Sequence, residues 1–111
     1  MELEYKSNKL RKQCENPSLA KKEYGARIGN KLVQRVGELL AANSLLDIKC
    51  IPSARLHRLE GKRSTEYSVD LVHPFRLVFK PVLKTDKDMN KIANINIVKI
   101  EEVVDYHGKQ K

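Results

Sequence analysis

The stretch YSVDLVHPFRLVFKP, residues 67–81, decides the fold of the second half of this chain. Large apolar residues occupy alternate positions in it, namely Tyr67, Val69, Leu71, Phe75, Leu77 and Phe79. A period of two is typical of strands that bury one face. His73-Pro74 separates the two alternating runs and predicts a tight turn. Pro81 limits the second run, because proline cannot donate a ladder hydrogen bond. The stretch therefore predicts two antiparallel strands with one apolar face.

The first half of the chain has the pattern of helices. A segment over 7–14 begins at a serine, a good capping residue, and Asn16-Pro17 pairs a second capping residue with proline at the first helical position. Gly25 ends that second segment. Residues 26–43 then place apolar side chains at helical spacing. The other helix faces are expected to hold the polar side chains Arg27, Lys31, Gln34, Arg35 and Glu38. Together these segments predict a helical hairpin or a kinked helix.

Shorter signals complete the predicted topology. Residues 1–5 alternate and predict a short half-buried strand, residues 55–59 begin the strand-rich half, and residues 84–91 form a charged loop. The last strand is expected over 94–106, with a bulge or a stretch buried on both faces near 97–98, where the apolar parity shifts. The order is β-α-α-β-β-β-β. This order predicts an α+β domain, residues 1–111, with helices on one face of a twisted antiparallel sheet.

Composition narrows the function classes. The chain has 111 residues, a mass of 12.8 kDa, a formal charge of +8 and a pI near 9.6. No apolar run approaches the ~20 residues that cross a bilayer, and the first residues, MELEYKSNK, lack an apolar signal region. We therefore expect no membrane partner and a cytoplasmic protein. Cys14 and Cys50 stand apart with no CxxC, so neither a metal site nor a disulfide is expected, and no glycine-rich motif indicates a nucleotide cofactor.

The positive charge is concentrated in one part of the chain. Residues 1–63 hold 14 basic and 7 acidic side chains, whereas residues 64–111 hold 8 and 7. Such a footprint suits a phosphate-rich partner. The alternative is a positive charge spread over helix faces, which serves only solubility. Composition alone does not decide between a phosphate-rich partner and this alternative.

A set of cations, histidines and one tyrosine is suited to metal-free RNA cleavage. The segment ARLHRLEGKR, residues 54–63, contains His57 and the cations Arg55, Arg58, Lys62 and Arg63. Arg76 lies between large apolar residues, and the sequence DYHG at 105–108 precedes Lys109. In that chemistry a 2′-hydroxyl must lose a proton, the phosphate needs positive charge, and the leaving 5′-oxygen needs a proton. Histidine titrates near neutrality, and arginine binds phosphate oxygens in pairs.

Each of these residues also has a structural interpretation. His57 is compatible with a solvated histidine, and Arg76 with a partner for Asp70 across the hairpin. Tyr106 is compatible with packing at the sheet edge, and His107 with a frayed tail. Residues 54–63 are equally compatible with an exposed basic hairpin. No single residue decides between the two interpretations.

The order of the motifs resembles the HigB-like killer proteins of the RelE/ParE toxin superfamily. The matching stretches are RLHRLEG at 55–61, YSVDL at 67–71, FRLVF at 75–79 and VDYH at 104–107. The resemblance covers nearly the whole chain and implies a small RelE-like fold, in which an N-terminal strand and helical hairpin precede the sheet.

The resemblance implies the toxin of a type II toxin–antitoxin pair. Such toxins cleave translated mRNA in the ribosomal A site without a metal, and so stop translation and growth. By motif, Arg76 would stabilise charge on the scissile phosphate, while His57, Tyr106 and His107 would share proton transfer. The residues expected to bind RNA or the ribosome are Arg55, Arg58, Lys62, Arg63 and Lys109. Further candidates for docking on ribosomal RNA are the helix residues Arg11, Lys12, Lys21, Lys22, Lys31 and Arg35.

The resemblance also implies a protein partner. In HigB-like systems this is usually a helix-turn-helix, HigA-like antitoxin, and operator DNA is bound only through the complex. One residue departs from the family pattern, because Glu60 stands where several of these toxins have lysine. Two alternatives to an mRNA-cleaving toxin stay open. One is a non-catalytic RNA- or ribosome-binding protein, meaning an attenuated toxin, and the other is a ParE-like inhibitor of DNA gyrase.

Overall fold

A computed structural model of the chain describes residues 1–83 and 91–106. The elements are β1 Glu2–Tyr5, α1 Asn8–Glu15, α2 Pro17–Tyr24, α3 Ala26–Ala41, α4 Leu45–Lys49, β2 His57–Arg58, β3 Tyr67–Asp70, β4 Phe75–Pro81 and β5 Ile97–Asp105. Single 3-10 turns occupy Pro52–Ala54, Gly61–Arg63 and Ile92–Asn94. The predicted α+β class is confirmed. The loop expected over 84–91 lies, except for its last residue, outside the described residues.

The helix boundaries follow from local capping. The Ser7 side chain accepts a hydrogen bond from the Leu10 N–H at 3.1 Å, and the Asn16 side chain accepts one from the Ser18 N–H at 2.9 Å. Gly25, with φ of 85°, joins α2 to α3 in a conformation that favours glycine. The three expected helical segments are confirmed, although the third ends at Ala41 rather than at residue 43. The predicted order lacks the short helix α4, which Ser44 caps by accepting a hydrogen bond from the Leu46 N–H. In the described parts of the chain, no helix is both long and apolar enough for a membrane crossing.

The sheet is mixed, with the strand order β1-β5-β4-β3-β2. Strand β1 runs parallel to β5, with Glu2 opposite Ile97, whereas all other neighbours are antiparallel. The expectation of a wholly antiparallel sheet is therefore wrong at β1. The reason is that β1 joins the last strand of the chain rather than one connected to it by a hairpin, so no turn dictates an antiparallel orientation.

The main core lies between the helices and one face of the sheet. Its largest fully buried side chains include Leu32, Leu39, Leu77, Phe79, Val98 and Ile100. A second, smaller cluster of Leu59, Val78 and Val104 lies on the opposite face, with Tyr106 packed against it. We call this opposite face, which the helices do not cover, the open face.

A β-bulge in β5 changes which face its residues meet. Val78 is opposite Glu102 while the next residue, Phe79, is opposite Ile100, which leaves Glu101 as the extra residue. The bulge, one of the two alternatives expected near 97–98, therefore lies at Glu101 instead. Val98 and Ile100 before the bulge pack in the main core, whereas Val104 after it packs on the open face. All three positions are even-numbered, so the alternation in the sequence does not show this change of face.

Strand β2 is shorter than the predicted run over 55–59. Only His57 and Arg58 pair with β3. Arg55 has φ of 47° and ψ of 58°, the left-handed conformation, and ends the 3-10 turn Pro52–Ala54. This backbone cannot continue a strand, so the extended pairing begins two residues later than expected.

Candidate active site

The open face brings distant parts of the chain into register. Directly paired residues on neighbouring strands share a face. One such row joins His57 to Ser68 and Val78, and the next joins Asp70 to Arg76 and Val104. The alternation of strands β2, β3 and β4 therefore places His57, Asp70 and Arg76 on the open face, whereas Arg58, opposite Tyr67, belongs to the other face.

A cavity of about 410 Å³ opens beside these rows and is lined by Arg55, Leu56, His57 and Arg76. The Arg55 and His57 side chains are exposed, whereas that of Arg76 is 28% exposed. The structure thus brings two of the residues predicted for catalysis, together with one predicted for RNA binding, to one cavity. Their roles stay predictions.

Arg76 has a partner on each side. Its Nε lies 3.2 Å from Asp70 Oδ1, and its Cζ lies 5.3 Å from the centre of the Tyr106 ring. The Asp70 contact is an ion pair rather than a directional hydrogen bond, since Oδ1 is buried with no hydrogen-bond partner among the described residues. The pairing of Arg76 with Asp70, expected as the structural interpretation, is confirmed. The ring contact is a cation–π interaction.

Arg35 is a buried guanidinium beneath this site. It is 2% exposed and donates from Nε to the Asp70 carbonyl at 2.7 Å and from Nη2 to the Ser53 carbonyl at 2.8 Å. Its Nη1 pairs with Glu38 at 2.9 Å. The placement of Arg35 on a polar helix face, and its proposed docking on RNA, are wrong. Its position three residues after Leu32 and one before Val36 could have indicated burial.

The connection between β2 and β3 folds toward the open face and is fastened there by Arg63. Arg63 donates to both carboxylate oxygens of Glu66 at 2.6 and 3.1 Å and lies 3.6 Å from Glu102 on β5. The hydrogen bond from Arg63 lowers the pKa of Glu66. Two carboxylates therefore already occupy Arg63, whose role in RNA binding stays a prediction.

Other predicted site residues take varied positions. Arg58 is exposed and donates from Nε to the Ser64 carbonyl at 2.7 Å, and Lys62 and Glu60 are exposed on the same connection. Tyr106 is half-buried at the end of β5. His107 and Lys109 lie outside the described residues. Across residues 1–83 and 91–106, no group of three or more histidine, cysteine, aspartate or glutamate side chains is placed to hold a metal ion.

The comparisons with known proteins find a likeness among solved structures. No family model and no curated protein matches this sequence. Among solved structures, the chain is similar to a YoeB/ParE toxin from Agrobacterium tumefaciens, with 14% sequence identity and a TM-score of 0.47 over 95% of this chain and 94% of that one. A function for this chain must therefore be argued from its own residues.

Proposed function

We propose that this chain is the toxin of a type II toxin–antitoxin pair and that it cleaves mRNA in the ribosomal A site without a metal. The observation that supports this proposal best is the shared cavity of His57 and Arg76, with the Tyr106 ring against the Arg76 guanidinium. These residues are separated in sequence and meet on the open face of a basic protein. Their side chains match the needs of phosphodiester cleavage.

The proposed reaction is an internal attack on the RNA chain. The 2′-oxygen loses its proton and bonds to the adjacent phosphorus, and the bond from phosphorus to the 5′-oxygen breaks. The products are a 2′,3′-cyclic phosphate and a 5′-hydroxyl, which takes up a proton. Arg76 stabilises the added negative charge, and His57, Tyr106 and His107 share the two proton transfers. Asp70 contacts Arg76 through Nε, which leaves the Nη groups as donors to phosphate.

Positive charge around the cavity favours binding of RNA and the ribosome. Arg55 is 71% exposed at the cavity, and Lys62 is exposed on the connection between β2 and β3. Arg58 is also exposed, on β2, but belongs to the other face of the sheet. Contacts of this kind are made mainly with phosphate, so binding weakens as salt rises. Glu60 is exposed beside them and does not pair with Arg63, which pairs with Glu66 and Glu102 instead. The negative charge of Glu60 therefore reduces the positive potential near the cavity.

The proposed partner is a helix-turn-helix antitoxin that binds operator DNA as a complex with this chain. An acidic or amphipathic segment of that partner would cover part of residues 55–63 and Arg76, because these positions carry cations that line the cavity or lie near it in sequence. A complex that leaves His57 and Arg76 uncovered would instead inhibit by its bulk, which would prevent entry to the A site.

Induction of the protein in bacteria tests the activity. Wild-type protein should arrest growth and leave codon-biased cuts in mRNA with cyclic phosphate ends, whereas the double variant Arg76→Ala, Tyr106→Phe should do neither. Arg27→Ala, which removes an exposed arginine from α3, is the matched control and should behave as the wild type. Equal arrest by the double variant would contradict the catalytic assignment.

Two other outcomes identify the alternatives. Double-strand DNA breaks with intact mRNA would indicate a gyrase inhibitor. Salt-sensitive binding to ribosomes with no cleavage would indicate an attenuated toxin, in which Glu60 and the occupied Arg76 leave too little charge for the phosphate.

A further inference from the structure

A single carboxylate lies between the two arginines of the cavity. Asp70 Oδ1 is 3.2 Å from Arg76 Nε, and Asp70 Oδ2 is 3.5 Å from Arg55 Nε. The Asp70 side chain is 22% exposed, whereas that of Arg55 is 71% exposed. The contact with Arg76, itself 28% exposed, is the more sheltered of the two and the less screened by solvent.

The backbone of Asp70 is fixed independently of its side chain. Arg35 donates to the Asp70 carbonyl at 2.7 Å and to the Ser53 carbonyl at 2.8 Å. Ser53 belongs to the 3-10 turn that ends at Arg55, where the backbone is left-handed. One buried guanidinium therefore joins the end of β3 to the segment that enters the cavity, so the Asp70 carboxylate starts from a rigid position.

We propose that Asp70 is a positioning residue that orients the Arg76 guanidinium toward the phosphate of bound RNA, an inference that rests on the proposed function. Once the Asp70 carboxylate is removed, the cation–π contact with the Tyr106 ring still holds the Arg76 guanidinium. A ring face limits the tilt of a guanidinium but not its rotation in the ring plane. The attraction of the carboxylate, 3.2 Å from Nε, holds that edge of the guanidinium in place and so supplies the missing restraint without a directional hydrogen bond.

The negative charge of Asp70 allows an orienting role to be distinguished experimentally from an effect on RNA affinity. A carboxylate beside a phosphate site weakens RNA binding, so removing the charge should preserve or improve affinity. Removing the restraint should lower the rate, because a displacement of about 1 Å in a catalytic group costs about 100-fold. A residue that acts by orientation therefore changes the rate and the affinity in different directions.

Single-turnover cleavage of mRNA on purified translating ribosomes tests this separation with Asp70→Asn. We expect the single-turnover rate constant at saturating protein, here called kcat, to fall by about 100-fold, while the protein concentration at half-saturation stays equal or falls. Glu23→Gln, which removes one negative charge from an exposed position on α2, is the control and should match the wild type in both quantities. An unchanged or higher kcat would overturn the proposal and leave Asp70 as a competitor of phosphate only.

The ¹⁵Nε resonance of Arg76 provides a readout that needs no activity. It should shift in Asp70→Asn and not in Glu23→Gln, while Tm changes little. A fall in Tm that accounts for the lost rate, with the resonance unmoved, would mean a structural role and would overturn the proposal. If wild-type protein does not cleave, the proposed function fails, and the resonance alone then decides whether Asp70 orients Arg76.

Discussion

Two buried polar side chains on β3 and α3 differ sharply in their hydrogen bonding. Arg35 places its guanidinium against two carbonyls and Glu38, which satisfies the donors that burial removes from water. Ser68, with no measurable exposure, has a hydroxyl with no hydrogen-bond partner in the described structure. Ser68 lies opposite His57 on the open face. Arg35 therefore stabilises the site, whereas the unpaired hydroxyl of Ser68 lowers the stability of the fold.

Ser68→Ala should therefore stabilise the protein by about 1 kcal/mol, because an unsatisfied buried hydroxyl is removed with little change in volume. Urea unfolding of the purified protein measures this difference. Ser64→Ala changes an exposed serine on the neighbouring connection and should leave the free energy of unfolding unchanged. A loss of stability in Ser68→Ala would show that the hydroxyl finds a partner in solution, for which the nearest cross-strand candidate is His57.

At the level of elements, α2 and α3 approach most closely at one glycine. A Cβ built on Gly29 would lie 2.7 Å from the Lys21 nitrogen and 2.8 Å from the Ala20 carbonyl carbon and oxygen. These are backbone atoms and cannot rotate away. Gly37, two turns later on the same helix, has no atom within 4 Å of such a Cβ. One glycine therefore permits helix packing, and the other only weakens the helix.

The same substitution at the two positions should have opposite effects. Gly29→Ala should destabilise the protein by about 1–3 kcal/mol, because α2 and α3 must move apart. Gly37→Ala should stabilise it by about 1 kcal/mol, because alanine has the higher helix propensity and fills open space. Thermal and urea unfolding of the pair measure both changes. Equal effects of the two substitutions would contradict the close approach at Gly29.

At the scale of the whole molecule, two weak acids that folding removes from water make stability depend on high pH. Burial raises the pKa of Tyr5 on β1 to about 12 and that of Cys14 on α1 to about 12. In the unfolded chain these groups ionise near 10 and 8.5. Their contribution to stability is therefore complete below about pH 8.5 and is lost as pH rises through about 12.

Unfolding free energy measured in urea under reducing conditions should fall as pH rises from about 8.5 to 10.5, and Cys14→Ala should flatten this slope. The variant is expected to be less stable at every pH because it leaves a cavity, so the slope is the quantity to compare. Cys50→Ala removes the exposed thiol and should retain the wild-type slope. An unchanged slope in Cys14→Ala would contradict the burial of that thiol.

The local pattern of the sequence determined α1, α2, α3 and the central hairpin, but α4 was not predicted. Ser7 and Asn16 accept hydrogen bonds from backbone groups two or three residues away, so their capping can be predicted from the sequence without knowledge of the fold. The alternation over 67–81 placed Leu77 and Phe79 on the buried face for the same reason, since strand geometry repeats every two residues. The candidate residues His57 and Arg76 were also identifiable from the sequence by their chemistry.

The tertiary structure alone decided which distant segments meet. The parallel pairing of β1, the bulge at Glu101 and the burial of Arg35 depend on partners more than twenty residues away in sequence. Local periodicity carries no information about such partners, because register and strand order are set when the whole core closes. The cavity that His57 shares with Arg76, and the Asp70 carboxylate between its two arginines, exist only because that closure brings β2, β3 and β4 together.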